Sequence, residues 1–507
     1  MGALNRDVKV LVIGAGAMGS GIAHVAALAG HAVYLYDMNA EAVARGKAGI
    51  EKDLRFLVGK GKLAEAECVA TLARVRPVTA LADAGDAGLA IEAIVERLDV
   101  KQKLFLELEA LLGEDAILAS NTSSLSITAM AAPLARPERL VGLHFFNPAP
   151  RMKLVEIVSG LATDKALAES LHATAKAWGK VPVHARSTPG FIVNRVARPY
   201  YAEAQRVLAE GAAAPATLDA ILRDGCGFPM GPFELMDLIG HDVNYAVTNS
   251  VFDAYFGDKR FTPSLIQQEL VQAGRLGRKS GRGFYDYREG ASRPQADDEA
   301  TRSAAGTVTV VGDLGVAAGL IGRFEAAGIK VQREAGKGAG HIEVGEARLA
   351  LSDGRTATRR ADEEALANLV LFDLAADYAS TPRLAVALAD QCGSGAAQLA
   401  IGTLQKAGLA VSRIDDVAGM VALRTVAMLA NEAADGVLQG IGSARDIDTA
   451  MRYGTNYPKG PLAWADELGI RRVATVLANL REHYGEERYR VSPLIQRKAI
   501  TGATFHE

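Results

Sequence analysis

The sequence predicts an α/β chain that opens with a Rossmann-type nucleotide-binding domain and ends in a degenerate second copy of its own first part. Two observations predict this: a strand running through G-x-G-x-x-G into a helix, and an ungapped internal repeat at a constant shift of 229 residues. The length agrees, because 507 residues at roughly 100–200 per domain ask for three or four domains.

The first strand is VKVLVI (8–13), which ends in GAGAMG (14–19) and is followed by the helical stretch GIAHVAALAG (21–30). In that order Gly14 makes the tight turn, Gly16 lets a pyrophosphate approach bare backbone, and Gly19 lets helix pack on strand. The helix N-terminus then faces the phosphates. A second strand, AVYLY (32–36), ends in Asp37, 23 residues after Gly14. A carboxylate there accepts hydrogen bonds from a ribose diol and repels a 2′-phosphate, which favours NAD over NADP. Asp37 also fits a helix N-cap.

The strand AILA (116–119) runs into SNTSS (120–124), placing hydroxyls and an amide at the C-terminal edge of a parallel sheet, where ligands bind. Next, LVGLHFF and MKLVEIV read as two extended runs joined at the break NPAP (147–150), since proline cannot continue a ladder. A bend centred on Pro150 sets His144 opposite Glu156. A carboxylate on one imidazole nitrogen leaves the other free as general base for a secondary alcohol. The spacing alone fits equally a half-buried strand histidine beside Phe145 and Phe146, with Glu156 in solvent.

The run HFFNPAPRMKLVEIV, with SNTSS before it and TPGFIVNR (188–195) after it, resembles the signature of the L-3-hydroxyacyl-CoA dehydrogenase family. The resemblance continues through GFPMGPFELMDLIG (227–240) to GRKSGRGFYDY (277–287), about the first 290 residues, without departure at the positions named next. It implies that His144 is the base, Glu156 its partner, and Ser123 and Asn194 polar groups around the substrate's C3 oxygen. It implies further that Glu96, Lys101 and Asn147 lie on the NAD side, Lys279 at the cofactor edge, and Lys60 against coenzyme A. A lysine in a polar turn such as Lys60 is also simply a solvated one. The implied reaction is NAD-dependent oxidation of a (3S)-3-hydroxyacyl-CoA to the 3-oxoacyl-CoA, with no metal.

Composition narrows the class. A net charge of −3, with 49% hydrophobic and 23% charged residues, excludes disorder and offers no basic stripe for nucleic acid. Cys68, Cys226 and Cys392 form no C-x-x-C pair, and an odd thiol fits a reducing compartment. No apolar run reaches the roughly 18 residues of a membrane span, and no signal-peptide core precedes the first strand. A cytoplasmic protein with no membrane or nucleic-acid partner is expected.

After the polar stretch REGASRPQADD (288–298), residues 190–240 align with 419–469, and 13 of 51 positions are identical. Gly225, Pro229, Gly231, Pro232, Asp237 and Gly240 recur as Gly454, Pro458, Gly460, Pro461, Asp466 and Gly469. Ahead of this, TVTVV (307–311) enters GDLGVA (312–317), where Leu314 replaces Gly16 and is expected to fill the pyrophosphate space. Asp313 adds an unfavourable charge, Ala335 stands for Asp37, and Leu423 for Asn194. First glycine to repeat element is 190 − 14 = 176 residues in the first copy and 419 − 312 = 107 in the second. The His/Glu segment is therefore expected to have no room and no counterpart, leaving one active site per chain.

With the family's helical domain included, the expected architecture is an α/β Rossmann-type N-terminal domain plus an all-α C-terminal domain, followed by a degenerate second copy of both. The expected boundaries are 1–187 (NAD-binding, with His144 and Glu156), 188–288 (helical), 289–304 (linker), 305–415 (degenerate Rossmann-like) and 416–507 (second helical). Because single-repeat members pair their helical domains between subunits, either a homo-oligomer or an intrachain pseudo-dimer is expected.

Across the whole chain, including HYGEERYR (483–490), the sequence is most similar to two-repeat dehydrogenases of bacterial phenylacetate degradation. These act on 3-hydroxyadipyl-CoA, with 3-hydroxybutyryl-CoA the alternative substrate. An adipyl chain ends in a second carboxylate, and Arg198, four residues after Asn194, is a candidate to read it. A salt bridge to a neighbouring acid is the other use open to Arg198. Three further readings are a non-catalytic dinucleotide-binding sensor, a fused hydratase for which the repeat leaves no length, and a dehydrogenase of other hydroxy acids.

Overall fold

The computed structural model describes residues 2–506, which form two compact units. The first runs from the N-terminus to Arg195 and takes in Gln439–Thr455; the second comprises Val196–Leu438 and Asn456 to the C-terminus.

The first unit is built on eight strands: β1 (Val10–Ile13), β2 (Val33–Tyr36), β3 (Val75–Pro77), β4 (Leu89–Glu92), β5 (Ile117–Ser120), β6 (Leu140–Phe145), β7 (Leu154–Ser159) and β8 (Val181–Arg186). Their order is β3-β2-β1-β4-β5-β6-β7-β8, parallel except for the β6–β7 hairpin. β1 and β4 are buried on both faces, as continuous apolar runs in parallel strands require. Val10, Val12, Leu35, Ile91 and Leu143 pack against Ile22, Val25 and Ala26 of the helix Ala17–Leu28. Each such side chain contributes about 1.5–3 kcal/mol by leaving water.

The second unit holds a seven-stranded sheet: β9 (Thr307–Asp313), β10 (Lys330–Ala339), β11 (His341–Val344), β12 (Ala347–Leu351), β13 (Leu369–Phe372), β14 (Arg383–Leu388) and β15 (Ala410–Ile414). The order is β10-β9-β11-β12-β13-β14-β15. Here β12–β13 is parallel, β13–β14 antiparallel and β14–β15 parallel, the pattern of β5 to β8. The polar stretch 289–304 has no helix or strand but is fastened: Glu299 N–H donates to the Val411 carbonyl at 2.8 Å, and Asp298 pairs with Arg383.

The same unit joins helices of both copies. Arg424, on the helix Ala422–Leu438, donates to Glu203 at 2.8 Å on the helix Arg198–Ala209, and to Glu210 at 2.9 Å. In return Arg260 donates to Glu432 at 3.1 Å and Asp435 at 2.5 Å. All but Glu210 are buried, and each guanidinium meets two carboxylates, which offsets the desolvation a lone buried charge would suffer.

A reciprocal exchange of backbone links the copies. Arg186 N–H at the end of β8 donates to the Ile441 carbonyl at 2.8 Å within the first unit. Asp415 N–H just past β15 donates to the Ala212 carbonyl at 2.9 Å within the second. A shift of 229 turns 186 into 415 and 212 into 441, so each sheet is met by the other copy's helical segment.

Candidate active site

The glycine loop divides its labour as the spacing predicts. Gly14 has φ +99°, and a Cβ there would lie 2.4 Å from the Ala93 carbonyl oxygen; one on Gly19 would lie 1.7 Å from that of Gly14. A Cβ on Gly16 would meet open space, so backbone packing does not require that glycine. What it preserves is an open approach to the first turn of the helix Ala17–Leu28, whose N-cap makes no side-chain hydrogen bond. Open backbone N–H groups at a helix N-terminus suit a phosphate. Asp37 accepts from Ala15 N–H at 2.8 Å and Asn39 N–H at 2.9 Å. The cap of the helix Ala40–Gly59 is Asn39 and not Asp37.

β6 and β7 pair in the register that sets His144 opposite Glu156. His144 Nδ1 lies 2.6 Å from Glu156 Oε2, and both side chains are buried. A carboxylate only accepts there, so Nδ1 carries a proton and, in the neutral imidazole, Nε2 is the nitrogen with the lone pair. The other oxygen, Oε1, accepts from Ile192 N–H at 3.1 Å and Val193 N–H at 3.0 Å, at the start of the short helix Val193–Val196. One carboxylate thus orients the base and fixes the segment that carries Asn194. The Asn194 amide reaches the Ser123 carbonyl at 3.5 Å, and the Ser123 side chain is exposed. Phe146 and Phe191 flank the imidazole, with ring centroids 4.4 and 5.9 Å away.

Glu96 organises the SNTSS loop, accepting from the Thr122 hydroxyl at 2.5 Å, Ser123 N–H at 3.2 Å and the Ser124 hydroxyl at 2.9 Å. Burial opposes its charge, but Thr122, Lys101 and Ser124 prevail and hold the carboxyl below its usual range. Lys101 is fully buried between Glu92, 2.5 Å away, and Glu96, 3.1 Å away, so it supports the loop from beneath. Asn147 is exposed in the β6–β7 turn. Lys60 is exposed at the end of its helix, its ammonium 5.7 Å from the centroid of the Phe56 ring.

Two named residues fall in the second unit. Lys279 pairs with Asp242 at 2.5 Å. Arg198 donates to the Thr248 hydroxyl at 3.1 Å, lies over the Tyr201 ring and is buried; burial lowers its pKa. With Arg206, Arg260, Arg488 and Gln205 it lines a cavity of about 210 Å³. The expected single helix through Asn194 and Arg198 is broken at Ala197, between Val193–Val196 and Arg198–Ala209.

Three residues have roles that the sequence pattern does not give. Glu92 ends β4 and takes the Ser120 hydroxyl at 2.6 Å as well as Lys101; a carboxylate at a strand's C-terminal edge was the signal available. The Asn121 carbonyl oxygen accepts from Phe145 N–H at 2.8 Å and ties off β6. Lys180 donates to the Ala149 and Met152 carbonyls at 2.5 and 2.9 Å, closing the β6–β7 turn, and burial pushes its ammonium down to about 8.

In the second copy the expectation of no counterpart is corrected. The shift of 229 carries His144 onto Asp373 and Glu156 onto Ala385, and Asp373 N–H donates to the Ala385 carbonyl at 3.0 Å. The hairpin is kept and the pair is gone, because the whole shortening lies ahead of it. Asp373 instead caps the helical segment itself, accepting from Val421, Ala422 and Leu423 N–H at 2.7–3.0 Å. Leu314 is buried in the core of the second sheet. Asp313 takes the Gly315 N–H at 2.8 Å, a donor a phosphate would need.

Among the described residues no helix is long and apolar enough to cross a membrane. The family described as "3-hydroxyacyl-CoA dehydrogenase, NAD binding domain" matches residues 9–188, and the corresponding C-terminal domain matches twice, at 190–287 and 419–504. A "3-hydroxybutyryl-CoA dehydrogenase reduced Rossmann-fold domain" matches 349–417. The chain is 48% identical over 491 residues, 97% of each protein, to the 3-hydroxyadipyl-CoA dehydrogenase of Escherichia coli K12. It is 43% identical to a probable 3-hydroxybutyryl-CoA dehydrogenase of Bacillus subtilis, over 56% of this chain and 99% of that one. A crystal structure of 3-hydroxybutyryl-CoA dehydrogenase from Escherichia coli K12 superposes with TM-score 0.90 at 47% identity, covering 98% of this chain and 99% of that one. With an open pyrophosphate cradle and a carboxylate-oriented imidazole on the same sheet, the chain belongs to the 3-hydroxyacyl-CoA dehydrogenase family and is an NAD-dependent enzyme.

Proposed function

We propose that the chain oxidises (3S)-3-hydroxyadipyl-CoA to 3-oxoadipyl-CoA, with His144 Nε2 as the base that takes the C3 hydroxyl proton. The observation that carries the catalytic reading is Glu156, bonded at once to His144 Nδ1 and to the start of the Asn194 segment. NAD, held by Gly14, Gly16, Gly19 and Asp37, supplies the hydride acceptor when bound. Ser123 and Asn194 hold the C3 oxygen as its charge changes, and Glu156 stabilises the imidazolium that forms. Glu96, Asn147 and Lys279 face the cofactor, with Lys101 behind Glu96, and Lys60 binds coenzyme A.

The adipyl assignment is supported by the name of the full-length Escherichia coli relative. The 3-hydroxybutyryl thioester is the second reading, favoured by the name of the superposing structure. Comparing kcat/KM for the two thioesters decides between them. Wild type is expected to prefer the dicarboxylyl substrate, and Arg198→Met to lose that preference while sparing 3-hydroxybutyryl-CoA. Equal loss on both substrates removes Arg198 from substrate recognition.

The protein is read as cytoplasmic, with the five segments bounded as above and the second copy serving as an intrachain pseudo-dimer partner. Sedimentation and activity of residues 1–290 test the last point. A stable, fully active monomer of that fragment rejects it.

A further inference from the structure

The segment Gln439–Thr455 belongs by sequence to the inactive copy and by packing to the first unit. It meets Leu154, Ile192, Val193 and Arg195 around the joint that holds Glu156. The helix Ala444–Gly454 lies on β7 and β8. A Cβ on Gly454 would stand 2.6 Å from Leu154 Cδ2 and 3.0 Å from Val193 Cγ2. Leu154 precedes Glu156 by two residues on β7, and Val193 donates one of the two N–H bonds to its carboxylate. A Cβ on Gly442 would stand 3.1 Å from Ile192 Cδ1, the side chain of the other donor. Gln439 Oε1 accepts from Arg195 at 2.8 Å, next in sequence to Asn194.

We propose that residues 439–455 of the inactive copy clamp the Glu156–Asn194 joint and are required for catalysis by the first copy. The proposal rests on the catalytic reading of Glu156 and Asn194. Gly442 and Gly454 are positioning residues, since neither touches the imidazole or the space around Ser123. Their lack of a side chain allows the segment to close on β7 and on the N-terminus of the Asn194 helix. A shift of about 1 Å in such a joint costs about 10²-fold in rate.

The test uses the full chain carrying Gly454→Val, assayed with 3-hydroxybutyryl-CoA or acetoacetyl-CoA. The expected result is a fall in kcat of about 10–100-fold with KM for the nicotinamide cofactor unchanged. Adding Leu154→Ala to Gly454→Val reopens the space and restores most of the rate. Gly442→Ala, a gentler intrusion, is expected to lower kcat by about 3–10-fold should the valine variant fold poorly. Gly225→Ala, at the matching position of the second unit with its nearest neighbour 3.7 Å away, leaves kcat unchanged. Wild-type kcat in folded Gly454→Val and Gly442→Ala overturns the clamp, as does a loss of rate in Gly454→Val that Leu154→Ala does not rescue. Wild-type turnover in Glu156→Gln overturns the catalytic reading and the clamp with it. A slow Glu156→Gln beside a normal Gly454→Val overturns the clamp alone.

Discussion

The hairpin β6–β7 and its counterpart β13–β14 share a register, a parallel neighbour on each side and a buried carboxylate that caps a following helix. In the first, Glu156 serves the helix with one oxygen and His144 with the other. In the second, Asp373 occupies the histidine's place and both its oxygens serve backbone N–H groups, opposite a mute Ala385. The difference separates two roles combined in the active copy. Capping the helical domain is needed wherever that domain attaches, whereas orienting an imidazole is needed only where a proton moves.

The sharpest way to break this asymmetry is at the base. His144→Ala is expected to lose about 10²–10⁴-fold in kcat, while Asp373→Ala leaves kcat per folded molecule unchanged. Calorimetric titration with NADH should find one site per chain; a second would show that the loop around Leu314 still binds. The next largest effect lies between the helical copies. Arg424→Met leaves Glu203 buried against less positive charge and is expected to destabilise the second unit by about 3–5 kcal/mol in denaturant, with kcat of surviving enzyme unchanged. A change within about 0.5 kcal/mol would show that the buried pair is not needed.

The smallest effect is a pH dependence of the second hairpin. Burial raises the Asp373 carboxyl from 3.8 to about 6, against the four N–H groups that lower it. Because the folded value lies above the unfolded one, its contribution is complete below pH 3.8 and is lost as pH rises through about 6. Between those limits wild type should lose about 3 kcal/mol relative to Asp373→Asn, which keeps the neutral form throughout. Parallel melting curves for the two proteins across that range would refute the assignment.

Much of this was legible in the sequence because the features are local or arithmetic. Gly14 and Gly19 are forced by contacts inside one strand-turn-helix unit, and the register of His144 with Glu156 followed from a proline break midway between them. The retained second hairpin departs from the expectation of no counterpart, although the shift of 229 leads straight to it. Asp373 and Ala385 share no chemistry with His and Glu, so no identity marks them as counterparts. The family resemblance puts Lys101 on the cofactor side, and nothing in the spacing gives its burial between Glu92 and Glu96. The four-residue spacing sets Arg198 on one helix with Asn194, whereas the backbone breaks at Ala197, just ahead of Pro199, whose missing N–H places it in the first turn of a new helix. The exchange of helical segments lay beyond sequence reasoning, since it joins residues more than 200 positions apart.

That exchange has a consequence in mass action. Two separate chains trading the Arg186–Ile441 and Asp415–Ala212 contacts would come apart on dilution, and their activity would track the monomer–dimer equilibrium. Within one covalent chain the partner's effective concentration is fixed by the intervening residues and does not change with dilution. The specific activity of this enzyme should therefore stay constant down to concentrations at which a two-chain assembly would have dissociated.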